Sequence, residues 1–407
     1  MAQLLDAIVL GAGPAGCAVA ARLLQRGVTR FAVLERYAFP RDKPCGGGLT
    51  GHADEALAAL GLELRVPRVP APHARVVYGA FERTIEMQRP VNVVRRIDFD
   101  ADLVAQVRAK GADVREDSAA EAIAVRDDRV EVTLSGGRTV AARVLIGADG
   151  VASIARKHLV GERALPHRLF MQELAIAAPP TGADTMVYDF TAMPTGVRGY
   201  TWVFPSPAGV NVGIMHYPAD RRGGPELVRR LREHLAPLGV ALPMKGARGW
   251  PVWGYEPSAR VAGPRVVVVG DAAGIDGLTG EGIAVAMEHG AIAGDHVARA
   301  LATGDVAFRG YRRALRRAVV GRELALDRRL ARMLYQRGAG WRDWMALVLF
   351  DADVLDMYAA RVSGSQVLAD QKWRLVKALG RHALARGRRL RQLAEALPER
   401  SALPEAA

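Results

Sequence analysis

The sequence predicts an α/β fold in which a nucleotide-binding layer is interrupted by an antiparallel sheet and followed by a helical tail. Three observations carry this. An apolar, strand-like run from Ala7 to Leu10 ends on Gly11-Ala12-Gly13-Pro14-Ala15-Gly16 and opens an alanine-rich segment. From Leu169 to about Val261 strand and turn patterns dominate, with one helical stretch from Pro225 to Leu235. Beyond Val306 the spacing is helical throughout. A chain of 407 residues is long for one compact core, which suits a large domain carrying an insertion.

Ala7 to Leu10, Gly11 to Gly16, Cys17 to Arg26 and Phe31 to Leu34 read as strand, turn, helix and strand, a βαβ unit. Glycine and proline then crowd from Pro40 to Gly51, which marks a shaped loop. Ala74 to Tyr78 and Thr84 to Gln88 alternate like antiparallel strands, and Phe99 to Lys110 has helical spacing. Val130 to Leu134 and Thr139 to Ile146 resume strand character and end on Gly147-Ala148-Asp149-Gly150. Val266 to Val269 is wholly apolar, as expected of a buried parallel strand, and leads through Gly270-Asp271-Ala272-Ala273-Gly274 to a helix from Gly282 onward. The expected organisation is a discontinuous cofactor domain (1–73, 97–168, 262–305), a substrate sheet (74–96, 169–261) and a helical C-terminal region (306–407).

Half of the residues are hydrophobic, so a folded chain is expected. No apolar stretch reaches the roughly 18 residues a spanning helix needs, and the start lacks the basic lead and cleavage pattern of a signal peptide. Two cysteines, Cys17 and Cys45, make no disulfide framework, and a cytoplasmic location follows. His52, His73, His216 and His289 are scattered without ligand spacing, so no metal site is expected. The net charge is +13, with arginine concentrated after Tyr311 and above all between Arg374 and Arg391. Such a run reads either as a solvated helical face or as a surface for anionic lipid, a phosphorylated substrate or an acidic electron donor. Nucleic acid is not expected, because no recognised module accompanies the charge.

The glycine motif follows a strand and opens a helix, the context in which it carries meaning. Gly11 permits the tight turn, Gly13 lets the backbone approach a pyrophosphate, and Gly16 lets helix and strand pack closely, with Pro14 and Ala15 inside the same site. The helix N-terminus offers free N–H groups to the phosphates. Glu35 ends the second strand about 20 residues on, where an acid accepts the ribose hydroxyls and repels a 2′-phosphate. The bound dinucleotide is therefore FAD or NAD rather than NADP.

FAD is favoured by two further segments. Arg36 to Pro44 and the glycines after it resemble the flavin-side loop of glutathione-reductase-type flavoproteins, and Gly270-Asp271 resembles the strand-end motif whose aspartate binds the ribityl chain. The wider pattern resembles the geranylgeranyl reductase family, within the aromatic-hydroxylase-like flavoproteins. The residues that carry it are Lys43-Pro44-Cys45-Gly46-Gly47-Gly48, Arg96 with Phe99-Asp100, Ala148-Asp149-Gly150, Tyr200-Thr201-Trp202-Val203-Phe204-Pro205 with Val212-Gly213, and Gly270-Asp271-Ala272-Ala273-Gly274 with Thr279-Gly280-Glu281-Gly282-Ile283. The resemblance implies a Rossmann-type FAD-binding domain of the glutathione-reductase/aromatic-hydroxylase type, an inserted antiparallel substrate sheet and a helical tail. It also implies that Ala15, Glu35, Arg36, Cys45, Gly46, Gly48, Arg96, Asp271, Gly282 and Ile283 contact FAD. Gly280 to Ile283 would present N–H groups to the pyrimidine end of the flavin, where negative charge develops on reduction. Ala120 joins them by spacing, as the end of the strand after Val114.

Members of this family reduce isolated double bonds of prenyl chains. By that analogy Cys45 is the proton donor, the other reading being a small residue in a crowded glycine loop. Cys17, on the glycine-motif helix, reads as packing. Tyr200, Trp202 and Phe204 share one strand face that Pro205 ends, and they form either a substrate-cavity wall or a core strand; Trp250, Trp253 and Tyr255 are equally open. Trp341 to Phe350 caps an apolar tunnel or packs within the tail.

The expected activity is FAD-dependent reduction of carbon–carbon double bonds in an isoprenoid or similarly apolar substrate. Electrons would come from transiently bound NAD(P)H or a ferredoxin, since no second glycine motif exists. The basic tail would suit an acidic donor or the inner face of the membrane. The alternative is an FAD-dependent monooxygenase acting on an aromatic or polyketide-like compound. Asp276-Gly277-Leu278, where many relatives place a proline before the Thr-Gly-Glu-Gly turn, departs from the family pattern.

Overall fold

The computed structural model describes residues 4–161, 168–176, 184–217, 224–236, 248–275, 278, 280–336 and 340–397. The chain forms two compact units, Met1–Arg68 with Val94–Leu169 and Pro251–Arg328, and Val69–Val93 with Phe170–Trp250 and Arg329–Ala407.

In the first unit, four apolar runs and one short strand make a parallel layer. Val266–Val268, Thr139–Gly147, Leu5–Leu10, Phe31–Leu34 and Asp113–Arg115 lie side by side in that order. Numbered along the chain this is 5-4-1-2-3, the doubly wound arrangement in which the crevice opens where the order reverses, here between Leu5–Leu10 and Thr139–Gly147. Ile8, Val9, Val144, Leu145, Ile146 and Val266–Val268 are fully buried, as strands covered on both faces must be. Helix Pro14–Gln25 packs on helix Ile283–Thr303 through small residues, Ala15 and Ala18 against Gly290. The hairpin Ala120–Val125/Val130–Leu134 extends the layer at Thr139–Gly147.

The second unit holds an antiparallel meander, Arg168–Ile176, Gly209–His216, Gly199–Ser206 and Thr185–Asp189, joined in parallel to Arg68–Tyr78, which pairs with Phe81–Val94. Val203, Val210, Val212 and Ile214 bury one face under Leu227, Leu231 and Leu235 of helix Gly224–Leu235. Tyr200, Trp202 and Phe204 occupy the other.

The helical region expected from 306 onward is divided. Tyr311–Arg317 and Val319–Ala331 run to the end of the first unit, and Trp341–Phe350, Ala352–Val362 and Lys372–Glu395 belong to the second. Trp253 and Tyr255, expected in the substrate sheet, lie in the first unit. Two helices were not expected, Gly51–Leu60 and Ile154–Val160.

The last helix is tied down by carboxylates. Asp351, 3% exposed, accepts from Arg381 at 2.7 Å and from the buried Arg389 at 3.2 Å, and Asp343 accepts from Arg386 at 2.7 Å. Burial alone would raise the Asp351 carboxyl, yet the Arg381 and Arg389 hydrogen bonds hold it below its ordinary value. Asp351→Asn is expected to cost about 3 kcal/mol at neutral pH, because it strands Arg389. A depressed carboxyl stabilises above its unfolded value and loses that contribution as pH falls through the folded one. Thermal melts of wild type and variant should therefore converge in acid; a difference independent of pH would contradict this assignment.

Candidate cofactor and active site

The glycine turn Gly11–Gly16 follows strand Leu5–Leu10, at the crevice between that strand and Thr139–Gly147, and it begins the candidate cofactor site. Gly11 has φ +90°, donates its N–H to Leu34 O at 2.8 Å, and sits so close to the neighbouring strand end that a Cβ would lie 2.4 Å from Ala148 O. A Cβ on Gly16 would lie 1.9 Å from Gly11 O. Gly13 differs, since its absent side chain would meet only Arg41 Nη2, at 3.5 Å. The helix beginning at Pro14 has no side-chain cap and no acid in its first turn. An uncapped, open helix start behind a glycine cradle fits a pyrophosphate. Cys17 donates its thiol to Ala12 O at 3.3 Å, and burial pushes that thiol well above its usual value, so it is a packing residue.

Glu35 is buried at the end of its strand. Its Oε2 accepts from Ala12 N at 2.8 Å, leaving acceptor capacity for ribose hydroxyls. Arg41 lies 3.5 Å from Glu35 Oε1 and donates to Asp100 Oδ2 at 3.0 Å. Arg36, by contrast, is exposed, with its guanidinium 5.0 Å above the Tyr37 ring.

Asp100 is fully buried and takes two 2.7 Å hydrogen bonds from Arg96, one turn earlier on helix Arg96–Ala109. Burial opposes both charges, and the pairing wins: Arg96 is held protonated and the Asp100 carboxyl below its ordinary value. Arg96 also interacts with the side chain of Cys45. That thiol packs partly on the core and accepts from Gly47 N at 3.5 Å. Cys45 thus lies in a mixed setting, against the apolar core and the Arg96 guanidinium. Gly46 and Gly48 flank it in the same loop.

Asp271 sits in the turn Gly270–Ala272 after strand Val266–Val268, and Lys43 Nζ reaches its Oδ2 at 2.7 Å. Thr50 Oγ1 donates to Glu281 Oε1 at 2.5 Å, tying the glycine loop to the segment Gly280-Glu281-Gly282-Ile283. Gly280 has φ +82°, and Gly282 opens helix Ile283–Thr303 without a side-chain cap. Asp276, Gly277 and Thr279 lie outside the described residues.

Ala120 needs correction in its placement. The strand containing Val114 ends at Arg115, and Ala120 opens the following hairpin, paired with Leu134. Asp149 has a structural part: it accepts from Ser153 Oγ at 2.5 Å and Ile154 N at 2.8 Å and so caps helix Ile154–Val160. Arg41 and Lys43 were missed as site residues, because their partners Asp100 and Asp271 are 59 and 228 residues away. The Arg96–Asp100 pair could have been found from its i,i+4 spacing.

In the second unit, the buried Tyr200, Trp202 and Phe204 form one aromatic row with the half-buried Tyr188, whose ring lies 5.4 Å from Tyr200 and 5.1 Å from Phe204. Trp202 Nε1 donates to Asn211 Oδ1 at 2.7 Å, and Pro205 continues the same strand. Trp341 and Phe350 pack on Tyr78 and Phe81 of the long hairpin, which accounts for both by packing. Trp253, in the first unit, donates to Val151 O at 2.6 Å beneath the Arg156 guanidinium.

The FAD binding domain family FAD_binding_3 matches residues 5–319. Menaquinone reductase of Mycobacterium tuberculosis is 32% identical over 329 residues, 71% of this chain and 76% of the relative. Digeranylgeranylglycerophospholipid reductase of Methanosarcina acetivorans is 30% identical, covering 76% of this chain and 78% of the relative. Among solved structures, a geranylgeranyl bacteriochlorophyll reductase-like protein of Thermoplasma acidophilum superposes with a TM-score of 0.69 at 22% identity, over 97% of this chain and all of that one. The halogenase PltM shares the fold at 18% identity and a TM-score of 0.68, over 96% of this chain and 86% of that one. With this family match over most of its length and relatives above the level at which fold alone is shared, the chain belongs to the geranylgeranyl reductase family of FAD-dependent oxidoreductases.

Proposed function

We propose that the enzyme reduces carbon–carbon double bonds in the prenyl chain of an isoprenoid lipid. The observation that carries this reading is the setting of Cys45, whose thiol lies inside the glycine-rich loop next to the buried Arg96–Asp100 pair. Reduced FAD, when held at this site, would supply the hydride for one alkene carbon. The other carbon needs a proton, and Cys45 Sγ is the group that gives it. The thiolate left behind lies beside the Arg96 guanidinium, whose charge offsets the new one. Solvent then returns the proton.

The relatives support the substrate class. The two described above are named for menaquinone and for a digeranylgeranyl lipid, and both compounds carry prenyl chains. NAD(P)H bound transiently, or a ferredoxin-type protein, delivers the electrons.

The test is to reduce the flavin anaerobically and mix the enzyme with geranylgeranyl diphosphate in a stopped-flow instrument. Reoxidation without oxygen, with a mass gain of two hydrogens per bond, is expected. Cys45→Ala should retain FAD and lose alkene reduction by about a hundredfold. If only oxygen reoxidises the flavin and the prenyl compound is recovered unchanged, the reductase reading fails and monooxygenase chemistry replaces it.

A further inference from the structure

We infer that the outward face of helix Lys372–Glu395 is a docking surface for an anionic lipid bilayer. The helix turns about 100° per residue. On that spacing Ala378, His382, Arg389 and Leu393 face inward, and they are the buried residues of the helix. Trp373, Val376 and Leu384 point the opposite way and are 70%, 53% and 93% exposed, with Leu379 beside them at 39%. Few large hydrophobic side chains of the described chain are exposed at all, and these four share one helix.

A solvated helical face carries mixed charges, not Trp and Leu. Small residues, Gly380, Ala383 and Gly387, separate the apolar ones on this face. The cations of the helix divide into two sets. Arg374, Arg381, Arg386 and Arg389 engage Asp343, Asp351 and Asp353, which fixes the helix on its own unit. Lys372, Lys377, Arg388 and Arg391 have no acidic partner among the described residues, and Glu395 is the only acid of the helix. Lys377 and Arg388 lie along one side of the apolar stripe, and Arg391 continues it.

Charge complementarity selects the occupant. A second copy of this face would bring like charges together, so a symmetric dimer is disfavoured. An acidic protein would satisfy the cations and leave Leu384 and Trp373 to be matched separately. An anionic bilayer meets both requirements at once: headgroups take the Lys and Arg side chains, and the acyl boundary takes Trp, Val and Leu. The helix would lie in the interface rather than cross it; no helix among the described residues is long and apolar enough to span.

The inference does not rest on the reaction proposed above, because vesicle binding is read without turnover. The FAD-loaded full chain should float with vesicles of phosphatidylglycerol and phosphatidylcholine, and much less with phosphatidylcholine alone. Replacing Lys377, Arg388 and Arg391 together by Gln should weaken the partition about a hundredfold. Trp373→Ser with Leu384→Ser should weaken it at least about tenfold, with the flavin spectrum and far-UV circular dichroism unchanged. A wild-type chain that stays in the aqueous fraction at low salt would overturn the proposal. So would equal flotation by the Trp373/Leu384 variant, and in that case retention on polyglutamate would assign the face to an acidic protein.

Discussion

Gly16→Ala should yield a protein with FAD affinity lowered about a thousandfold and stability lowered by about 4 kcal/mol. The reason is a backbone collision. The added Cβ would stand 1.9 Å from Gly11 O, and Gly11 cannot retreat, because a Cβ-sized step already brings it against Ala148 O. Helix Pro14–Gln25 must then tilt away from the turn, taking its first N–H groups out of line with the phosphates. Gly13→Ala is the informative control. Its Cβ would meet only the far end of the flexible Arg41 side chain, at 3.5 Å, so the fold should tolerate it. The second glycine of the motif is the one whose backbone a pyrophosphate approaches, so the methyl should obstruct binding. Urea titration and flavin titration of the pair should separate the two: lost stability and lost FAD for Gly16→Ala, lost FAD alone for Gly13→Ala. Equal stabilities would remove the collision argument.

The second large effect is expected at Arg96. Arg96→Met keeps the apolar stem and removes the charge, leaving Asp100, fully buried, with a hydrogen bond from Arg41 and the more remote charge of Lys43. Breaking such a pair from one side costs about 3–5 kcal/mol. Asp100 now titrates below its ordinary value because Arg96 outweighs the burial penalty, so the pair stabilises above the unfolded carboxyl value and loses that contribution as pH falls through the folded one. The deficit of Arg96→Met, measured by urea denaturation, should accordingly shrink below about pH 4. Adding Asp100→Leu should restore part of the lost stability at neutral pH while leaving FAD binding impaired. A deficit that persists in acid would mean that Arg96 acts through packing rather than charge.

These residues also show where the sequence was legible. The glycine turn, Glu35 and the strand Val266–Val268 depend on local rules, a positive φ, a strand end and a fully apolar run, and each appears where those rules put it. Helix Gly51–Leu60 was hidden because it starts inside the glycine-rich loop, whose composition argues against regular structure. Ala120 was misplaced because its strand is defined by its partner Leu134 and not by its distance from Val114. Lys43 and Asp271 are joined only by the fold. Their pairing has no local signature, and no periodicity could supply one.

The order of the parallel layer has a consequence for synthesis. Strand Val266–Val268 lies directly beside Thr139–Gly147, yet well over a hundred residues are translated between them, including the whole meander of the second unit. A nascent chain can close the βαβ unit early, since its contacts are short in sequence, but Asp271 and the turn at Gly280 emerge late. Any hold these two segments have on a flavin therefore waits for the final third of the chain. Fragments ending before Val266 should carry the glycine cradle, expose the edge of Thr139–Gly147, and aggregate rather than turn yellow.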